Sequence, residues 1–233
     1  MNSNILKKAW IRSIPVMAGY IVLGFGFGVM MHSAGFGVLW TLAMSVFVFA
    51  GSMQYVGVGL LSGGATVLMT AVTTFAVNAR HLFYSISMLE RYHGTGKKKP
   101  YLIFALTDET YSLLCGDDYP EGEDPSLFAF LVSLFDQCYW IFGSVLGTVM
   151  ASSVRFNSNG IEFSMTALFV ATFVEQWITE KRHFPAVTGI AATILCRLVF
   201  GNSIFLIPSM ILIAVMLLAF RQREPEEGGG RHE

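Results

Sequence analysis

Two stretches of this chain carry no Lys, Arg, Asp, Glu or His: the 47 residues from Ser33 to Ala79 and the 23 from Leu198 to Phe220. A helix that crosses a bilayer needs roughly 20 mostly apolar residues, so the first stretch is long enough for two passes and the second for one. A soluble amphipathic helix would repeat a polar face every turn, and neither stretch does. With the remaining apolar runs, the pattern predicts helical segments at 14–31, 38–61, 65–89, 101–116, 126–151, 163–179, 185–200 and 203–220. The largest hydrophilic breaks are 90–100, with Lys97, Lys98 and Lys99, and 117–125, with Asp117, Asp118, Glu121, Glu123 and Asp124. Neither is long enough to fold a soluble domain. The expected fold is all-α: a polytopic membrane helix bundle of about six to eight hydrophobic segments. It divides into a basic N-terminal segment (1–13), one membrane domain (14–220) and a polar, disordered tail (221–233).

Composition agrees. At 54% hydrophobic, 13% charged and a mean hydropathy of +0.57, the chain is far more apolar than a soluble domain, where about a quarter of residues are charged. The net charge of −1 gives no footprint for nucleic acid or an acidic substrate, and the apolar runs make membrane lipid the expected surroundings. Lys7, Lys8 and Arg12 precede a 19-residue apolar run, Ser13–Met31, with no small-residue cleavage site and polar domain after it, so it reads as an uncleaved first span. Cys115, Cys138 and Cys196 lie in apolar segments without disulfide or zinc spacing, and are expected to be buried thiols.

Counting basic residues produces a conflict. Both the Lys7–Lys8–Arg12 flank and the Lys97–Lys99 cluster should be cytoplasmic by the positive-inside rule, yet three full crossings between them would separate the two. Parity is restored if 38–61 is broken or re-entrant, entering and leaving on one side. The polar, glycine-bearing Gly51-Ser52-Met53-Gln54 marks the break, and non-helical backbone at membrane depth is tolerated only beside protein or a cavity. The acidic loop 117–125 then falls outside. Lys181, Arg182, Arg221 and Arg223 raise the same difficulty in the C-terminal half and call for a second irregular segment there.

Ionisable residues inside a membrane are costly and mark function. Asp108 and Glu109 sit midway in 101–116; neighbours on a helix point about 100° apart, so the two should face different partners. They fit a proton-carrying pair, or a buried ion pair with Arg80 or Arg197. Asn78 and His81 share a helix face that Tyr84 continues; with Arg80 they suit either a carboxylate or a broken segment held by hydrogen bonds, unless Arg80 snorkels to the interface. Gln54 either contacts substrate or hydrogen-bonds across helices. Gly24 and Gly28, and Gly143 and Gly147, are small-xxx-small pairs suited to close helix packing. Asp136 and Glu175 are further acids in apolar runs, expected to be solvated or paired with bases near span ends. Glu90 and His93 give one Glu-x-x-His spacing where a di-iron site needs two. With no H-E-x-x-H, G-x-S-x-G or Walker sequence either, no enzyme and no cofactor is expected.

The order of motifs resembles the AzlC family, the large subunit of bacterial branched-chain amino acid exporters. The residues that carry this are Pro15, Gly19 and Gly24–Gly28, then Phe49-Ala50-Gly51-Ser52-Met53-Gln54, then Val77-Asn78-Ala79-Arg80-His81 with Tyr84, then Thr107-Asp108-Glu109. Trp140, Gly147, Gly160-Ile161-Glu162-Phe163 and Ala167-Leu168-Phe169 extend it to about 20–200. Glu175 and Glu180-Lys181-Arg182 depart from the pattern by being more charged. The resemblance implies export of leucine, isoleucine and valine, with methionine as a further substrate, across the bacterial inner membrane. It also implies ion-gradient coupling, a small AzlD-type membrane subunit and a cytoplasmic N-terminus.

On that footing, Gly51, Ser52 and Gln54 would take the zwitterion's polar atoms, and Asn78, Arg80 and His81 its carboxylate. Asp108 or Glu109 would exchange a proton or meet the ammonium, with Phe and Met side chains around the aliphatic part. An uncoupled channel or facilitator, or a non-transporting membrane partner, is the alternative.

Overall fold

The two longest helices, α1 (Ser3–Ser33) and α8 (Pro125–Ser153), are each long and apolar enough to cross a membrane. The computed structural model describes residues 3–116, 119–120, 122–153, 163, 166–167, 170, 173–174, 177–178, 183–201 and 205–221. Glu175, Lys181, Arg182, Asp117, Asp118, Glu121, most of 163–179 and the tail after Arg221 lie outside the described residues. Among the described residues the structure is helical, with no strand. The basic segment is not separate: α1 is helical from Ser3 through Lys7, Lys8 and Arg12 and runs on past Pro15.

α1 and α8 run parallel, and glycine lets their backbones touch. A Cβ on Gly24 would sit 2.9 Å from the Trp140 carbonyl oxygen, on Gly28 2.0 Å from that of Ser144, and on Gly147 2.1 Å from that of Phe25. The two small-xxx-small pairs therefore face each other across one seam. The Thr148 hydroxyl donates to the Gly28 carbonyl at 3.0 Å and lies 2.9 Å from Thr41 Oγ1.

Between these helices the predicted segments are interrupted three times. Segment 38–61 forms α2 (Val38–Phe47) and α3 (Gly51–Ser62), separated by Val48–Ala50. Phe49 holds the break with φ of 32°, the single non-glycine residue in the left-handed region among the described residues. The break lies just upstream of the expected one: Gly51 to Gln54 form the first turn of α3. α2 starts beside Thr148, near the end of α8. It descends until the Gln137 amide meets the Val46 carbonyl. α3 then climbs back, with the Tyr55 hydroxyl donating to the Leu23 carbonyl at 2.6 Å. Segment 38–61 thus enters and leaves at the same end of the bundle.

Segment 65–89 is a crossing broken at Ala79, giving α4 (Val67–Asn78) and α5 (Arg80–Met88). Segment 101–116 becomes α6 (Lys99–Phe104) and α7 (Asp108–Leu114), joined at Ala105–Thr107. At six and seven residues, each spans only about 10 Å at 1.5 Å per residue. This second hairpin opens at the N-terminal end of the bundle. There Arg12 donates to the Leu113 carbonyl, and Arg91 donates to those of Leu114 and Gly116, capping the C-terminus of α7 with two cations.

The acidic loop shares that end. Lys8 pairs with Glu123 at 3.4 Å and Lys98 with Asp124 at 3.1 Å, so the expectation that it lies opposite the basic clusters is overturned. Asp124 also accepts from the Ser126 backbone N–H at 2.9 Å, capping α8 with Pro125 next in line.

The outward faces of these helices are apolar. Val67 is 87% and Leu39 79% exposed, surface that a water-facing protein does not present in quantity and a lipid-facing one does. Cys196 is buried as expected, but Cys115 and Cys138 are exposed. A second unit, from Leu168 onward, contains α9 (Phe184–Phe200) and α10 (Leu206–Arg221), packed on each other.

Candidate functional site

Helix interruptions place the candidate residues. Thr107, extended and N-capping α7, accepts from the Thr110 N–H at 3.2 Å, which leaves Asp108 and Glu109 in the first turn, where the helix dipole favours carboxylates. The two acids diverge as adjacent helical residues must. Asp108 turns to α5, where its Oδ2 is 2.5 Å from Arg80 and its Oδ1 3.8 Å from His81 Nε2. Glu109 turns to α1 and accepts from the Tyr20 hydroxyl at 2.8 Å.

Arg80 does not snorkel. Its second terminal nitrogen donates to Ser52 Oγ at 2.5 Å, so one guanidinium ties the first turn of α3 to the first turn of α7. Arg80 and Asp108 side chains keep 26% and 29% exposure, which leaves the pair accessible to a solute. His81 lies edge-on to Tyr84, which stacks on Tyr111 with centroids 4.7 Å apart.

Gln54 is fully buried, and neither its Oε1 nor its Nε2 has a hydrogen-bond partner among the described residues. The cross-helix hydrogen bond weighed for it is not made. Asn78 Oδ1 and Trp140 Nε1 are likewise buried without partners. Native interiors satisfy nearly all such atoms, so each of these calls for an explanation. Gly51 faces the Trp140 indole, and a Cβ there would lie 3.1 Å from the ring. Phe49, at the tip of the first hairpin, meets Tyr20 and Phe104, with centroids 6.3 and 6.4 Å away.

Of the residues singled out in sequence, Ser52, Arg80, His81 and Asp108 come together directly. Gly51 and Gln54 share the turn of Ser52, Asn78 borders the break at Ala79, and Glu109 faces away toward Tyr20. Asp136 corrects its expectation: it is fully buried, its partner is the Thr110 hydroxyl at 2.8 Å, and no base is paired with it among the described residues. Tyr20 and Thr110 were missed because hydroxyls leave no mark in a charge count, and Thr107 was noted only as the first residue of its motif. The Thr-Asp-Glu run, a helix-start signal inside an apolar segment, was the available clue.

The family model described as AzlC protein matches residues 15–154. The chain is 42% identical to the "Branched-chain amino acid transport protein AzlC" of Bacillus subtilis, over 93% of this chain and 85% of that protein. It is 37% identical to an "Uncharacterized membrane protein" of Helicobacter pylori strain J99, over 93% and 95%. It is 25% identical to "Inner membrane protein YgaZ" of Escherichia coli, over 92% and 91%. No solved structure matches. The matched region takes in both hairpins, the broken crossing and the seam, and the chain belongs to the AzlC family.

Proposed function

We propose that this chain is the large subunit of an ion-coupled exporter of branched-chain amino acids, acting on leucine, isoleucine, valine and methionine in the bacterial inner membrane. Its N-terminal end faces the cytoplasm, a small AzlD-type subunit accompanies it, and it does no covalent chemistry. The observation that carries this reading is the Ser52–Arg80–Asp108 cluster at the meeting of three interrupted helices, with the unpartnered Gln54 amide in the same turn as Ser52. An amino acid zwitterion carries the mirror image of an Arg–Asp pair. Its carboxylate takes the place of Asp108 on Arg80 while its ammonium meets Asp108. Binding exchanges the Arg80–Asp108 bond for two others. Gln54 and Asn78 supply further hydrogen bonds, and Phe49 and Phe104 give apolar contact for an aliphatic side chain. Proton coupling falls to the acids at the head of α7.

The test is export from proteoliposomes holding the full chain with its small subunit. Uphill leucine movement that stops when the gradient is collapsed supports the reading. Downhill flux alone identifies a facilitator. Unchanged export by both Asp108→Asn and Glu109→Gln across pH removes the proton role.

A further inference from the structure

Four short contacts join Glu109 to the fully buried Asp136 through three hydroxyl groups. Glu109 Oε2 lies 2.8 Å from the Tyr20 hydroxyl, which lies 2.6 Å from Thr107 Oγ1. Thr107 Oγ1 lies 3.0 Å from Thr110 Oγ1, which lies 2.8 Å from Asp136 Oδ2. Each distance is that of an O–H···O hydrogen bond, so each link needs a proton between its oxygens. Three hydroxyls supply three protons for four links. With both carboxylates ionised, one link would hold two oxygens in contact with nothing between them. A single acid proton fills the fourth link, and a second would find no link left to occupy.

From this count we infer that Glu109 and Asp136 share one proton, carried between them by Tyr20, Thr107 and Thr110. With the proton on Glu109, that acid donates to Tyr20, Tyr20 to Thr107, Thr107 to Thr110 and Thr110 to ionised Asp136. Transfer reverses every donor: Asp136 donates to Thr110, and the chain runs back to ionised Glu109. One O–H bond breaks and one forms at each oxygen passed, and the net charge is unchanged. Asp136 thereby becomes the inner terminus of a relay whose outer terminus adjoins the Arg80–Asp108 pair.

The surroundings favour one proton. Asp136 is faced by Thr110 and Glu109 from α7, Tyr20 from α1 and Tyr101 from α6; its Oδ1 is buried without a donor among the described residues. Two anions there would lie in a low-dielectric interior with no ion pair to either among the described residues. Glu109 is faced by Asp108 beside it and by Arg80 and His81 from α5. A substrate ammonium on Asp108, or a carboxylate on Arg80, therefore changes the field at the Glu109 end and leaves the Asp136 end buried. A solute at the cluster would drive the proton toward or away from Asp136.

The use of this relay in coupling rests on the export reading; the proton count does not. Infrared spectra of the full-length chain in lipid nanodiscs separate the two. At neutral pH, wild type minus the Glu109→Gln/Asp136→Asn double variant should integrate to one protonated carboxylic acid, composite in frequency. Each single variant should remove a different component, and Tyr20→Phe, which keeps both acids but cuts the chain, should collapse the composite to one. A count of none or two overturns the inference. So does a composite band that survives in Tyr20→Phe, or a band left unchanged by either single variant. If the infrared results hold and a pH gradient does not drive export, the relay stands and the coupling reading falls. If they fail while proton-driven export persists, the reverse is true.

Discussion

The α1–α8 seam and the meeting point of the hairpins both bring backbone into close quarters, by opposite means. At the seam, glycine removes the side chain from an unbroken helix so that carbonyls of the neighbour lie where a Cβ would be. Distance is fixed there, and the hydroxyls of Ser144 and Thr148 are bonded. At the breaks, whole helices are interrupted, and buried polar atoms of Gln54 and Asn78 have no partner among the described residues. The first arrangement tolerates no change of volume; the second holds polar groups in reserve. Stability is concentrated in one and chemical capacity in the other.

The difference is easiest to break at the seam. Gly28→Ala should lose several kcal/mol, at or above the usual range of about 1–3 kcal/mol for overpacking, because the new methyl meets backbone rather than a movable side chain. Thermal unfolding in detergent checks this, with Gly19→Ala, where nothing lies within 4 Å, as the neutral control. At the breaks, Arg80→Gln should abolish export while helix content measured by circular dichroism stays at the wild-type level. A parallel loss of helix would make Arg80 a structural strut instead.

Gln54→Leu sharpens the contrast most. Removing an unsatisfied buried amide should leave stability equal or raise it by about 1–3 kcal/mol, while export falls at least tenfold. Lost stability together with lost export would mean that Gln54 is bonded in the resting protein. The smallest effect is expected outside both regions. Although burial opposes it, the Lys98 hydrogen bond and the N–H groups of Ser126 and Leu127 hold the Asp124 carboxyl below the usual carboxylate range. A depressed value means that its contribution is present above the ordinary carboxylate pKa and is lost as pH falls through the lowered one. Asp124→Asn should therefore cost no more than about 1 kcal/mol, seen near neutral pH and vanishing in acid.

Much of this contrast was legible in the sequence. Paired glycines four apart announced the seam, and the glycine-polar run after Ala50 announced the first hairpin within a few residues. The break at Ala79 was not legible, because alanine is the best helix former and only tertiary packing interrupts the chain there. The acidic loop was misplaced because 101–116 was counted as a full crossing, whereas it folds back on itself as α6 and α7 and returns the chain to the end it left. Asp136 was expected to be solvated or paired with a base, whereas its partner is the Thr110 hydroxyl, which a charge count does not register. Asp108 and Glu109 were separated correctly by helix geometry alone.

The parallel pairing of α1 with α8 also sets a timetable. Gly24 and Gly143, which meet in the seam, are 119 residues apart in the chain. At about 5–20 residues per second of synthesis, α1 waits roughly 6–24 s in the membrane for the helix that completes it. Both hairpins are made during that wait, with neither able to span the bilayer nor yet enclosed by the seam. Assembly of this protein is therefore closed by its last-made half-clasp, and a defect in α8 leaves every earlier segment without shelter.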